Sequence, residues 1–373
     1  MNSKLSLKVN YIYNFISQIL TLIIPMVTTP YIARVLRENG NGQYSFSFSI
    51  ITYFILFANL GFNTYGQREI SKYRNDPMKR TKVLAEISIV RSITTFIAIL
   101  ILFIALFFGI FGEKYTLIIV ALSIQLIAVP FDINFYYQGL ENFRAIAIRS
   151  IILKIMGLIG VFLFVKTEND TWIYALCLSI SVMLSNLVLW PSVLKDCTKI
   201  TFRDVELKKH IKPAIVIFLP ALAVTIYSVL DKTMIGFLAV SPDYENGCYE
   251  QAYKLNSIAL LLITVISPIF SSRNSYEHAM GNEDKLKNNI YLASNYVWLI
   301  GLPLTAFFLV LSPNLCSWFL GGGFYEVPLL LRIMSVRFLL SGFSEIFGNQ
   351  LFVSIGREKY TTIATFSAAL VNF

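Results

Sequence analysis

Ten stretches of this chain run for about 20 residues or more with almost no charge. A helix needs about 20 mostly apolar residues to cross roughly 30 Å of hydrocarbon. The stretches are residues 10–35, 43–66, 83–111, 115–138, 146–166, 172–194, 213–238, 249–270, 290–311 and 327–352. An eleventh begins near Tyr360 and is still running at Phe373, so the chain is expected to be a fragment cut inside it. Only 14% of the residues are charged and 56% are apolar, against about 25% charged in a soluble chain. Lipid accepts apolar side chains on the outside as well as the inside. The expected fold class is all-α, a polytopic transmembrane helical bundle. The basic start, MNSKLSLK, precedes an apolar run over residues 9–35 that is too long for a signal-peptide core. No small-residue cleavage site follows, and the run reads as an uncleaved first span.

The loops fix an orientation. The N-terminus, residues 67–82, 139–145 with Arg149, 195–212, 271–289 and 353–359 alternate on one side and hold 21 of the 31 Lys and Arg. The opposite loops hold three: Arg37, Lys114 and Lys166. Basic loops stay cytoplasmic during insertion, so the N-terminus is expected on the cytoplasmic side. The same distribution accounts for the net charge of +9 without nucleic acid, since the charges flank spans rather than forming one patch. Cys177, Cys197, Cys248 and Cys316 form no C-x-x-C pair, and His210 and His278 are the two histidines. Neither a metal site, a disulfide framework nor a cofactor is indicated.

An internal repeat organises the spans. Asn41-Gly42-Gln43-Tyr44, opening the second span, recurs as Asn246-Gly247-Cys248-Tyr249 opening the eighth, a shift of 205 residues. At that shift Arg68 falls on Arg273, each closing its span. Gly139-Leu140-Glu141-Asn142-Phe143 likewise matches Gly356-Arg357-Glu358-Lys359-Tyr360. Asn-Gly alone is an ordinary turn, but these matches keep one order at corresponding span ends. Six spans per repeat give two halves in the same orientation about an axis along the membrane normal. The expected architecture is two pseudo-symmetric six-helix lobes around a central cavity, 1–200 with spans 1–6 and 201–373 with spans 7–10 and part of 11. The second lobe is truncated on that count.

Pro30-Tyr31-Ile32-Ala33-Arg34-Val35-Leu36 followed by Gly40-Asn41-Gly42-Gln43-Tyr44 resembles the loop after the first span in Wzx-type polysaccharide flippases. These are the O-antigen and capsule repeat-unit exporters of the multidrug/oligosaccharidyl-lipid/polysaccharide exporter superfamily. Tyr136-Tyr137-Gln138-Gly139-Leu140 and Asp231-Lys232-Thr233-Met234-Ile235-Gly236 are similar to further stretches of that family. Where the family often has Gly-Pro after its Arg-x-Leu element, this chain has Arg37-Glu38. The resemblance implies transport of an undecaprenyl-diphosphate-linked oligosaccharide repeat unit between leaflets by alternating access. It also implies membrane lipid and other polysaccharide-assembly membrane proteins as partners.

Ionisable residues inside the spans are the candidates for function, because a charge near the bilayer centre costs about 2.5–3.5 kcal/mol even on lenient scales. Glu250 with Lys254, and Lys82 with Glu86, have the i, i+4 spacing of local pairs, and Lys154 and Arg332 are placed to reach the headgroups. Arg91 and Asp132 sit at similar depths in adjacent spans, as a structural ion pair would. Arg34, Asp231, Lys232, Arg337 and Glu345 are the substrate-cavity candidates. Asp231 is open to several roles: pairing with Lys232 or Arg34, coupling to a cation or proton, or closing an outer gate. A diphosphate head suits Arg34 and Arg337, since guanidinium binds phosphate through two parallel hydrogen bonds. Pro25 and Pro30 in the first span and Pro220 in the seventh permit kinks.

Two rival functions carry different signatures. A membrane polysaccharide polymerase would need a large outward loop for its chemistry, and here the outward loops are short, with no nucleophile–base pair or nucleotide loop. The chain is therefore not expected to be an enzyme. A cation-coupled multidrug antiporter of the same superfamily would share the architecture, but a basic cavity is a poor host for cationic cargo.

Overall fold

The computed structural model describes residues 7–198 and 206–372, with side chains from residue 23 onward apart from those at 220, 227, 358, 366, 369, 370 and 372. The side chains of Lys4, Lys8, Lys199, Arg203 and Pro220 therefore lie outside the described residues. Every regular element among the described residues is helical. Among the described residues, eight helical stretches are long and apolar enough to cross a membrane, which makes this a multi-pass membrane protein. The difference from ten spans has identifiable sources. The first two expected spans share one stretch, whose described part runs Ile23–Lys72. Lys208–Leu238 and Glu358–Asn372 are helical but not among the eight, and the latter's 15 residues reach only about 22 Å at 1.5 Å per residue.

The first helix, α1 (Leu7–Asn59), is two helices joined at a kink, with Arg37 at φ 50° and ψ −167°. A side-chain-bearing residue in that region is strained. At Arg37 the chain thus turns with a bulky residue, and the backbone carries the strain. Leu60 and Gly61, at φ 42° and 74°, then end the second of these helices.

The chain forms two compact units, residues up to Thr28 with Gln43–Leu238, and Thr29–Gly42 with Ala239–Phe373. In the first unit α2 (Phe62–Lys72) lies against α5 (Asn134–Gly139), and α4 (Glu113–Ile127) and α6 (Phe143–Phe164) both pack on α7 (Thr171–Leu187). Gly66 and Gly139 allow the α2–α5 approach, since a Cβ at Gly66 would lie 2.6 Å from the Phe135 ring and one at Gly139 would lie 2.8 Å from Ile70. The unit also contains α3 (Pro77–Phe107), α8 (Trp190–Asp196) and α9 (Lys208–Leu238). Pro130 breaks the run after α4, and Asn186 Nδ2 and Trp190 Nε1 donate to the nearby carbonyls of Ala128 and Phe131 at 3.0 and 2.9 Å.

The second unit holds α10 (Pro242–Thr264), α11 (Ser267–Ala279), α12 (Glu283–Phe319), α13 (Val327–Ser335), α14 (Arg337–Glu345), a π-helical turn (Ile346–Phe352) and α15 (Glu358–Asn372). Its core gathers Ala252, Ile263, Val297, Phe308, Leu331 and Phe338 around Ala33. Helix α3 shows why lipid is the solvent. Its buried face carries Val83, Ile87, Val90, Ala98 and Leu102, while its exposed face carries Ile93, Phe96, Ile97, Leu100 and Phe107. An exposed face that apolar along about four turns requires hydrocarbon beside it.

Candidate functional site

Among the described residues, the charges within the helices include several held by polar partners and one, Arg337, whose guanidinium meets only an aromatic ring. Arg91, 1% exposed, donates from Nη1 to the Asp132 carbonyl at 2.5 Å and approaches the Asp132 carboxylate at 3.9 Å. Asp132 is held in turn by Asn63 Nδ2 at 3.4 Å and the Asn134 backbone N–H at 3.0 Å. The Phe135 ring lies 5.9 Å from the Arg91 guanidinium. This cluster joins α3 to the segment following Pro130.

A second satisfied cluster was legible only in part. Lys82 and Glu86 do approach, at 3.9 Å, but Glu86 is fully buried rather than at a water boundary. It accepts from the Glu206 backbone N–H at 2.7 Å, from His210 Nε2 at 2.7 Å and from Lys209 Nζ at 3.2 Å. The carboxylate only accepts, so His210 Nε2 carries a proton, and the Tyr65 hydroxyl pairs with Nδ1 at 2.8 Å. His210, 1% exposed, thereby ties the start of α9 to α2 and α3. Sequence reasoning passed over it as a possible metal ligand.

The five cavity candidates are not gathered at one point. In the first unit Lys232 is buried and Asp231 partly so, near the end of α9. Next to them Thr233 Oγ1 donates to Ser49 Oγ at 3.0 Å and lies 3.4 Å from the Tyr53 hydroxyl. In the second unit Arg34 donates from Nη2 to the Trp318 carbonyl at 2.7 Å. That carbonyl is among the last four of α12, which have no helical partner, so Arg34 caps a negative helix end.

Glu345 closes α14. Its Oε2 accepts from Ser267 Oγ at 2.8 Å and Asn349 Nδ2 at 2.7 Å. It borders a groove of about 280 Å³ lined also by Thr264, Pro268 and Ser271. The π-helical turn that follows is a geometry found frequently at functional sites.

Arg337 differs from all of these. It opens α14 directly after the break at Val336, and its guanidinium lies 5.5 Å from the centre of the Tyr253 ring. Among the described residues no carboxylate or carbonyl bonds it. Tyr253 stacks on Tyr249, one turn earlier on α10, with ring centres 6.3 Å apart and planes 20° apart. The arrangement presents a planar cation and two aromatic faces on one side of α10 and α14. Guanidinium is suited to phosphate, and aromatic faces to apolar faces of planar or ring-shaped groups.

The sequence model of the family described as "Polysaccharide biosynthesis protein" matches residues 7–272. The chain belongs to that family. Two of its relatives are proteins named "Putative O-antigen transporter". The one from Shigella dysenteriae is 26% identical over 378 residues, covering 98% of this chain and 91% of the relative. The one from Escherichia coli (strain K12) is 22% identical over 376 residues, covering 99% and 89%. Among solved structures, "Lipid II flippase MurJ, inward closed conformation" aligns with a TM-score of 0.75 at 15% identity, covering 97% of this chain and 79% of that one. An inward-facing multidrug resistance MATE family transporter of the MOP superfamily aligns at 0.67, also at 15% identity, covering 94% and 88%. At such identities the structural likeness is one of fold. The resemblance to Wzx-type exporters read from the sequence is borne out, and so is the all-α membrane fold.

Proposed function

We propose that this chain is a flippase that moves a lipid-linked, anionic oligosaccharide repeat unit across the bacterial cytoplasmic membrane for surface polysaccharide assembly. The observation that carries the reading is the Arg337 guanidinium, placed within a membrane helix against Tyr253 with no acid bonded to it among the described residues. An ionisable group so placed without a partner is expected to serve cargo. The two relatives named as O-antigen transporters favour a saccharide cargo over a cationic drug or a polymerase reaction. The undecaprenyl-diphosphate carrier supplies the anion, and the sugars pass along the aromatic faces while the lipid tail stays in the bilayer.

In this reading the lobes 1–200 and 201–373 alternate access, and the N-terminus and basic loops lie in the cytoplasm. Asp231, Lys232 and Glu345 border the path, while Arg34 acts through the end of α12. Other membrane proteins of polysaccharide assembly receive the flipped unit. The test deletes the gene and measures surface glycan together with the lipid-linked unit. Loss of glycan with accumulation of the unit on the inner leaflet, rescued by the wild-type chain but not by Arg337→Ala at equal protein level, is expected. Unchanged glycan in the deletion would sink the reading.

A further inference from the structure

Glu345 is an acid in a spanning helix that no basic side chain pairs among the described residues. Glu86, Asp132 and Glu250 each face one: Lys209 at 3.2 Å, Arg91 at 3.9 Å and Lys254 at 3.1 Å. Glu345 is only partly buried, and its two bonds, from the neutral Ser267 and Asn349, both fall on Oε2. Its Oε1 is left over. A carboxylate placed in a membrane helix calls for a counter-charge.

The walls of the groove around it have spent most of their hydrogens. Thr264 Oγ1 donates to the Leu260 carbonyl at 3.4 Å, and Ser271 Oγ donates to the Asn349 carbonyl at 2.9 Å. Ser267 donates to Glu345, and Asn349 commits one of its two amide hydrogens there. What remains is Glu345 Oε1, the hydroxyl lone pairs and the Asn349 amide oxygen, against a single N–H. Such walls accept, so a ligand that matches them donates and carries positive charge. At about 280 Å³ the groove holds a group of several heavy atoms rather than one bare ion.

The surroundings point to where that group comes from. Leu261, Val265 and Ile269 recur at four-residue intervals beside the groove positions and stay exposed, Ile269 by 70%, and Phe347 is exposed on the π-helical turn. Apolar stripes left open in this way lie against hydrocarbon. Ser267 is six residues before the exposed Arg273 on α11. That is about 9 Å along the helix, close to the thickness of a headgroup layer, roughly 5–7 Å.

We infer that this groove is a headgroup site for an ethanolamine lipid, whose primary ammonium binds Glu345 Oε1 while its acyl chains lie on the exposed apolar stripe. An ammonium brings three N–H donors and one positive charge, which the walls lack. A choline headgroup brings the charge without the donors. The site concerns the surrounding bilayer and does not rest on the saccharide reading, although a cargo whose tail stays in the bilayer passes beside such a headgroup.

The full chain is delipidated in detergent and equilibrated with mixed micelles holding equal phosphatidylethanolamine and phosphatidylcholine of identical acyl chains. It is then re-isolated, and the bound lipid is extracted and quantified by mass spectrometry. A preference for phosphatidylethanolamine of at least about ten-fold is expected, the worth of one charge-assisted hydrogen bond. Glu345→Gln keeps the shape and removes the charge, and is expected to bring the preference below about two-fold. Ser271→Leu fills the groove while leaving Glu345 in place, and gives the same readout if Glu345→Gln does not accumulate. Equal retention of the two lipids by the wild type, or an undiminished preference in every accumulating variant, would overturn the site. Loss of the preference when soluble ethanolamine or sodium is added at the lipid's own concentration would also overturn it, since the groove would then serve a free amine or a bare cation.

Discussion

Arg91 in the first unit and Arg337 in the second are both guanidiniums set in apolar helices, and the structure treats them oppositely. Arg91 is enclosed, with the carbonyl and carboxylate of Asp132 before it and Phe135 beside it. Arg337 meets one aromatic face and leaves its N–H groups unengaged by the described residues. A charge that the fold satisfies contributes to the fold. A charge that the fold leaves unsatisfied is available to something that arrives. The comparison yields opposite expectations for the same substitution at the two sites.

The largest effect is expected at Arg91. Arg91→Ala removes one partner of a buried pair and leaves Asp132 in low dielectric, a change that costs about 3–5 kcal/mol. The expected outcome is a sharp drop in the amount of folded protein and in its melting temperature in detergent. Arg91→Met with Asp132→Leu removes both charges and is expected to recover most of the loss. If the single variant melts like the wild type, Arg91 is not a structural charge and the contrast with Arg337 disappears.

At Arg337 the order reverses. Arg337→Gln is expected to leave the melting temperature within about 1 °C of the wild type, as befits a substitution that breaks no internal bond. Export is expected to fall about ten- to hundred-fold, the worth of a charge-assisted contact of 1.5–3 kcal/mol. Arg337→Lys keeps the charge but not the planar fork, and should lie between the two. Pulse-labelled appearance of surface glycan measures all three. A Lys variant no better than Gln would mean that planarity matters and charge alone does not.

These residues also show how much was readable from the chain. Equal depth of Arg91 and Asp132 in adjacent spans follows from counting residues along helices, and the repeat follows from spacing. Neither says which atoms meet. The bond between His210 and Glu86 spans 124 residues, and a lone histidine among lysines gives no direction for its partner. Arg34 was grouped with Arg337 because both are arginines near an expected cavity. The structure separates them through a backbone carbonyl, that of Trp318, an acceptor every residue has and no sequence marks.

Arg34 therefore tests the comparison from its middle ground. Arg34→Ala removes a cap at the end of α12, for which about 1 kcal/mol of stability is expected to be lost. Export should fall by no more than about two- to three-fold, following the protein level rather than the cargo. A loss as deep as that of Arg337→Gln at normal protein level would return Arg34 to the cargo path and show that its bond to Trp318 is broken when cargo arrives.

The smallest effect belongs to a charge in water. Asp76 precedes α3 and accepts from the Lys79 backbone N–H at 3.1 Å, with Lys79 Nζ at 3.4 Å. The backbone N–H of Lys79 is the main cause holding its carboxyl below the usual carboxylate range. A lowered folded value means that Asp76 contributes stability above the ordinary carboxylate range and loses it as pH falls through the lowered value. Asp76→Ala is expected to leave export unchanged and to lower the melting temperature slightly near neutral pH. The difference from wild type should shrink between about pH 7 and about pH 3, because acid discharges the wild-type cap and has nothing to discharge in the variant. A difference that grows on acidification would mean the carboxylate opposes the helix start, and the ranking of charges by what satisfies them would fail at its simplest case.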